Sequence, residues 1–260
     1  MKLGRKFVEK PWGRTELPPM FDAPAGKRIG EVWLTGDGDL PLLAKYIFPS
    51  ERLSIQVHPD DEQARARGLA EGKSECWYIL EAEPGATLGL GLKRAMSKAE
   101  LRAVALDGSI EELIDWRSVE AGDFVFVPSG TIHAIGAGIW LLEFQQNSDV
   151  TYRLYDYGRP RELHLDAGVA VSNPGPFPQS LVQRLSGNEQ RVLVDGPHFT
   201  LVLTDRDVLV DRQRWVMPLD GEVRADEETA GPGDCLLVEA DERIETFGAR
   251  LLIGATFRPS

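Results

Sequence analysis

Gly122-Asp123-Phe124-Val125-Phe126-Val127-Pro128 reads as a glycine–aspartate turn running into a short apolar strand, and Gly233-Asp234-Cys235-Leu236-Leu237-Val238-Glu239 repeats it in the second half of the chain. The pattern around these copies is the same throughout. Apolar runs at 29–34, 42–48, 53–57, 76–80, 139–144, 199–203, 215–219 and 250–257 are each bounded by Gly, Pro or Asp and are too short for helical periodicity. Strands of this length, separated by turn signals, predict an all-β protein built as antiparallel sandwiches or barrels. At the spacing that aligns the two copies, His133 corresponds to Ile244 and Glu143 to Gly254. The second copy therefore keeps the strand pattern and lacks those polar groups. Two β-barrel units are expected: 1–172 as a metal-binding catalytic domain, and 173–260 as a degenerate partner, joined at the proline-rich Asn173-Pro174-Gly175-Pro176-Phe177-Pro178.

Helices are expected to be few. Ser97-Lys98-Ala99-Glu100 offers a capping box for a helix that stops before Asp107-Gly108, and Ser109 opens a second, short one to about Asp115. A third follows Asp60 and is expected to run to Gly72.

Composition excludes several classes. The apolar fraction of 42% and charged fraction of 27% over 260 residues are those of an ordinary globular protein. A net charge of −12 disfavours nucleic acid or an anionic membrane surface as a partner. No stretch approaches the roughly 18 uninterrupted apolar residues of a membrane span, and the N-terminal segment has no signal-peptide core. Two cysteines, Cys76 and Cys235, both in apolar surroundings, cannot form a disulfide framework, and a reduced, cytoplasmic protein is expected.

Gln56-Val57-His58 carries the chemistry, because residues i and i+2 of a strand share a face and Gln56 and His58 can approach one ion. Joined to Glu75 and His133, they supply two imidazoles, a carboxylate and an amide oxygen, a first shell for a divalent metal. Zinc suits this set. Two histidines and one carboxylate also describe iron oxygenase sites, so the ligands alone leave iron and manganese open. His164 and His198 lack such partners and read as structural or surface residues.

These residues sit within ordered motifs: Pro11-Trp12-Gly13, Ile29-Gly30-Glu31-Val32-Trp33, Gln56-Val57-His58-Pro59-Asp60-Asp61, Gly72-Lys73-Ser74-Glu75, the 122–136 stretch, and 142–159 with Asp149 and Arg153. Together they resemble the type I mannose-6-phosphate isomerases of the cupin superfamily, in their short bacterial form. The resemblance runs to about Leu165 and weakens beyond. It implies two jelly-roll units, one zinc ion on Gln56, His58, Glu75 and His133, and a phosphosugar substrate. It places the family's active-site arginine on Arg153, its lysine on Lys73 and an acid on Asp149. Longer members carry a histidine immediately before that lysine, where this chain has Gly72.

The implied reaction interconverts mannose 6-phosphate and fructose 6-phosphate through a cis-enediol. A base must move a proton between C2 and C1 while a cation stabilises the adjacent oxygens. Asp149, Glu143 and a neutral Lys73 are the candidate bases, unranked by sequence. Glu143 qualifies because Leu142 and Phe144 should face the opposite side of its strand. Lys93, Arg94, Arg159 and Arg161 are available for the phosphate, and Trp12, Trp33, Trp77 and Trp140 for the sugar or the core. A metal-bound sugar-binding cupin without turnover and a cupin dioxygenase are the competing readings, the former disfavoured by Arg153 and Asp149.

Overall fold

Leu53, Ile55 and Val57 are buried, and between them Ser54, Gln56 and His58 take the opposite face of the same extended segment. That alternation organises one of two compact units, formed by Pro49–Leu141 and Ser148–Gln183. The computed structural model describes residues 1–185, 190–208 and 210–257, so parts of the expected 173–260 domain lie outside the described residues. In this unit a five-stranded sheet runs in the order Tyr152–Tyr155, Ile55–Val57, His133–Ile135, Thr87–Leu92, Ile114–Ser118. One face is sealed by helices Lys98–Asp107 and Leu165–Val171, over a cluster that includes Ile55, Val57, Leu101, Ile132, Ala134 and Leu154. Each of the larger aliphatic side chains among them contributes about 1.5–3 kcal/mol by leaving water. The other face carries the residues between them. Arg153 pairs with Gln56 and Gln56 with His133, so the three form a row across adjacent strands. A second pair of strands, Glu75–Ala82 and Asp123–Val127, is antiparallel with Glu75 opposite Val127.

The other unit is formed by Met1–Phe48, Leu142–Asn147 and Arg184–Ser260. Gly4–Arg14, Ile29–Thr35 and Leu42–Ile47 make an antiparallel meander. Five further strands follow the order Arg191–Asp195, Phe199–Thr204, Leu251–Thr256, Arg214–Pro218, Leu236–Val238. Its interior is aromatic, with Phe144 edge-on to Phe199 at 5.2 Å and to Trp215 at 6.2 Å.

The units interleave along the chain, unlike the single division after residue 172 expected from sequence. The reason lies in the N-terminus. Leu3 N–H donates to the Cys235 carbonyl at 2.9 Å, and Arg5 pairs with Asp234 at 2.5 Å, so the first strand belongs with the C-terminal sheet. The internal echo is real at its turn. Gly122 and Gly233 both take positive φ, 88° and 92°. Asp123 accepts from Glu120 N–H at 2.9 Å, and Asp234 accepts from Gly231 N–H at 3.1 Å.

The helices are short. Lys98–Asp107 is capped by Ser97, which accepts from Glu100 N–H, while the Glu100 carboxylate turns to Arg94 instead of completing the box. Ile110–Leu113 has no side-chain cap, since the Ser109 hydroxyl donates to Asp107. The helix after Asp60 is Asp61–Arg65 with a full capping box to Gln63, and it ends well before Gly72 because Gly68 adopts φ 77°. Leu165–Val171 carried no capping signal in sequence, and its N-cap His164 makes no capping hydrogen bond.

Gly254 stands where the alignment of the two copies puts Glu143, and a Cβ there would lie 2.4 Å from the buried Phe144 ring. Gly254→Ala should therefore destabilise the protein by about 1–3 kcal/mol, read as a lower urea midpoint.

Candidate metal centre

Each imidazole of the site is locked by one backbone carbonyl. His58 Nδ1 lies 2.7 Å from Val150 O and His133 Nδ1 lies 2.9 Å from Thr131 O. A carbonyl can only accept, so both Nδ1 atoms carry the proton and both Nε2 lone pairs face inward. They converge on one carboxylate: His58 Nε2 is 3.5 Å from Glu75 Oε2 and His133 Nε2 is 3.3 Å from Glu75 Oε1. Fixing a histidine through its second nitrogen is the usual support of a metal ligand. His58, Glu75 and His133 offer ligand atoms all within 4.8 Å of one another, and all three are buried.

Gln56 joins them from the strand next to His133. Its Nε2 lies 3.2 Å from His133 Nε2, and its Oε1 accepts from the Ser54 hydroxyl at 3.1 Å. Lys73 Nζ, itself buried, stands 2.7 Å from Glu75 Oε2 and 3.3 Å from His58 Nε2. Trp77 closes the site edge-on to His133, with ring centroids 5.4 Å apart.

Burial drives the electrostatics. It pushes His58 down to about 3, with Lys73 adding to the effect, and it lowers His133 as well. Burial alone would raise Glu75, but the Lys73 ammonium and the two imidazoles override it and hold this carboxyl well below its ordinary range. The result is two neutral imidazoles around an ionised carboxylate, the protonation states a divalent cation requires.

The other sequence candidates are placed differently. Arg153 shares the row of Gln56 and His133. Its Nε donates to Glu162 O at 2.9 Å, and among the described residues no carboxylate lies within 4 Å of its guanidinium. Asp149 is exposed in the loop before Tyr152. Glu143 belongs to the other unit, where it is buried with Lys45 Nζ at 3.0 Å, itself 3.7 Å from Glu31. Trp33 lies in that unit too, donating to Glu31. Arg94 pairs with Glu100, and Arg159 and Arg161 both clamp Asp156, while Lys93 donates to Glu112 O. His164 Nδ1 accepts from Arg153 N–H. Sequence reasoning missed Ser54, whose signal is its position two residues before Gln56.

Gly72 explains an absent side chain. A Cβ there would fall 2.4 Å from Pro59 O and 2.5 Å from Asp60 C, against backbone that accepts from Lys73 N–H at 3.0 Å. No side chain fits between that loop and the lysine, so a histidine at this position is excluded by packing.

No family model matches the chain. It is 44% identical over 169 residues to a mannose-6-phosphate isomerase of Streptococcus mutans, covering 62% of this chain and 53% of that protein. It is 43% identical over 170 residues to one of Bacillus subtilis, covering 59% and 53%. The chain thus spans about half the length of the curated relatives it matches. The structure superposes on the crystal structure of mannose 6-phosphate isomerase from Bacillus subtilis with a TM-score of 0.81 and 28% identity, over 98% of both chains. A putative mannosephosphate isomerase from Archaeoglobus fulgidus shares the fold, at a TM-score of 0.78 and 18% identity over 99% and 97%. The resemblance read from the motifs is borne out, and the all-β architecture is that of a cupin. Among the described residues no helix is long and apolar enough to cross a membrane.

Two outcomes are expected. Gly72→Ala should cost about 1–3 kcal/mol and weaken metal uptake, because relief of the clash moves Lys73 and Glu75. For chelator-treated protein the sign of the pH effect follows from His58: the unfolded chain takes its proton near 6.5 and the folded chain only near 3, so the unfolded state binds more protons between them. Stability is full above pH 6.5 and falls as pH drops toward 3. Urea midpoints across this range should show that slope, and His58→Gln should reduce it to the part that His133 and Glu75 contribute with the same sign.

Proposed function

We propose that this homologue of the mannose-6-phosphate isomerases interconverts mannose 6-phosphate and fructose 6-phosphate, using one divalent metal, zinc by preference, held by Gln56, His58, Glu75 and His133. The observation that carries the reading is the pair of imidazoles, each tied through Nδ1–H to a carbonyl and aimed through Nε2 at one buried carboxylate. The ligand set leaves one net positive charge on a divalent ion, which supplies electrophilic stabilisation to oxygens placed beside it. The protein supplies the rest.

Arg153 is the cation with room for substrate. Its guanidinium, without a carboxylate partner and in register with Gln56, orients the sugar and shares the negative charge that develops on the enediol oxygens. Lys73 is the base that geometry supports best, since Nζ lies among the ligands and Asp149 is exposed. The ammonium that pairs with Glu75 must first release its proton; Nζ then takes the proton from C2 of the aldose and returns it to C1, while the proton of the C2 hydroxyl passes to the C1 oxygen, leaving a hydroxyl at C1 and the ketone at C2. Asp149 in this reading belongs to the loop rather than to proton transfer. Phosphate recognition falls to groups other than Arg94, Arg159 and Arg161, which are committed to carboxylates. Two buried cysteines outside any disulfide suit a reducing, cytoplasmic setting.

A coupled assay of mannose 6-phosphate conversion tests the proposal. Chelation should abolish turnover and zinc should restore it. Lys73→Met should lower kcat by about 10²–10⁴ with little change in metal content. Arg153→Ala should lower kcat/KM by roughly 10²–10³. Metal-loaded protein that binds mannose 6-phosphate and converts none would leave only a sugar-binding cupin, and oxygen consumption would point to a dioxygenase.

A further inference from the structure

An amide can present either end to a neighbour, and a metal accepts only the oxygen. As Gln56 stands, its Nε2–H group points at the His133 Nε2 lone pair at 3.2 Å while Oε1 accepts from Ser54 Oγ at 3.1 Å. Both contacts are satisfied in this orientation. Turning the amide end for end exchanges the two atoms, bringing Oε1 to the His133 side and the NH₂ to Ser54. A hydroxyl donates as readily as it accepts, so Ser54 can pair with the amide in either orientation. Alanine at 54 would take the acceptor away from the half-buried amide NH₂ in the turned orientation, since Ser54 itself is buried beside it at 3% exposed.

We propose that Ser54 is a positioning residue for the metal centre, the group that lets Gln56 present its oxygen by accepting the amide N–H once the orientation is reversed. The inference rests on the reading that Gln56 is a ligand. It concerns Ser54 alone. Gln56 sits in the strand Ile55–Val57 between buried Ile55 and Val57, with Ser54 immediately before that strand.

Co²⁺ binding to chelator-treated protein gives the test, read from the visible absorption of the bound ion and from competition with a chelator of known affinity. Ser54→Ala should weaken Co²⁺ binding by about 10–100-fold and alter the visible band, and Ser54→Thr should restore both. The decisive comparison uses Gln56→Glu, whose carboxylate has two equivalent oxygens and nothing to orient. In that background Ser54→Ala should change affinity by less than about twofold. Near-UV circular dichroism of each variant reports whether the fold is kept. Unchanged Co²⁺ affinity in Ser54→Ala, with a loss in Gln56→Ala, overturns the role of Ser54 and leaves the metal site standing. An equal loss from Ser54→Ala in the native and Gln56→Glu backgrounds also overturns it, since the serine would then support the strand and not the amide. If Gln56→Ala and His58→Ala bind Co²⁺ as the native chain does, the metal site itself is wrong and this inference falls with it.

Discussion

A carboxylate that is 1% exposed is the constraint around which one unit of this protein is arranged. An unpaired buried charge costs several kcal/mol, so Glu75 persists in ionised form only because Lys73, His58 and His133 crowd its two oxygens. Each of those partners is in turn held. The imidazoles are pinned through carbonyls, and Lys73 hangs from a loop whose tight approach at Gly72 leaves no slack. Such a cluster is poised for a doubly charged ion, which brings more positive charge to the same oxygens than an ammonium can.

Part of this centre was legible from period-two alternation: Gln56 and His58 are two residues apart with buried Val57 between them, while Lys73 and Glu75 came from their motif. His133 followed from its turn and Arg153 from its motif, and the structure brings both into one row with Gln56. Alternation says nothing about loops, which is why Asp149 emerges exposed although its motif is intact. It set Glu143 on a face apart from Leu142 and Phe144 as a cavity residue, yet could not say that Lys45 meets it from another strand, because that pairing depends on sheet order. Ser54 was invisible for a different reason: a serine acquires meaning only once the amide beside it is suspected of binding an ion.

The second unit shows what the same strand pattern becomes without ligands. The turn at Gly233-Asp234 repeats the aspartate hydrogen bond of that at Gly122-Asp123, but Ile244 joins an aliphatic cluster, and Gly254 makes room for Phe144. The fold boundary was misread from sequence because a linker signal marks where chain composition changes, whereas the units are decided by which strands find hydrogen-bonding neighbours.

The interleaving has a consequence for synthesis. Residues 49–183, apart from six in the middle, form one unit and leave the ribosome as a nearly continuous stretch, whereas the opening 48 residues belong with strands made last. During translation those first strands emerge earliest and stay unmatched longest, with their edges exposed. The lysines and arginines spaced along Gly4–Arg14 are well suited to keeping such an orphaned edge from pairing with the wrong chain in the interval.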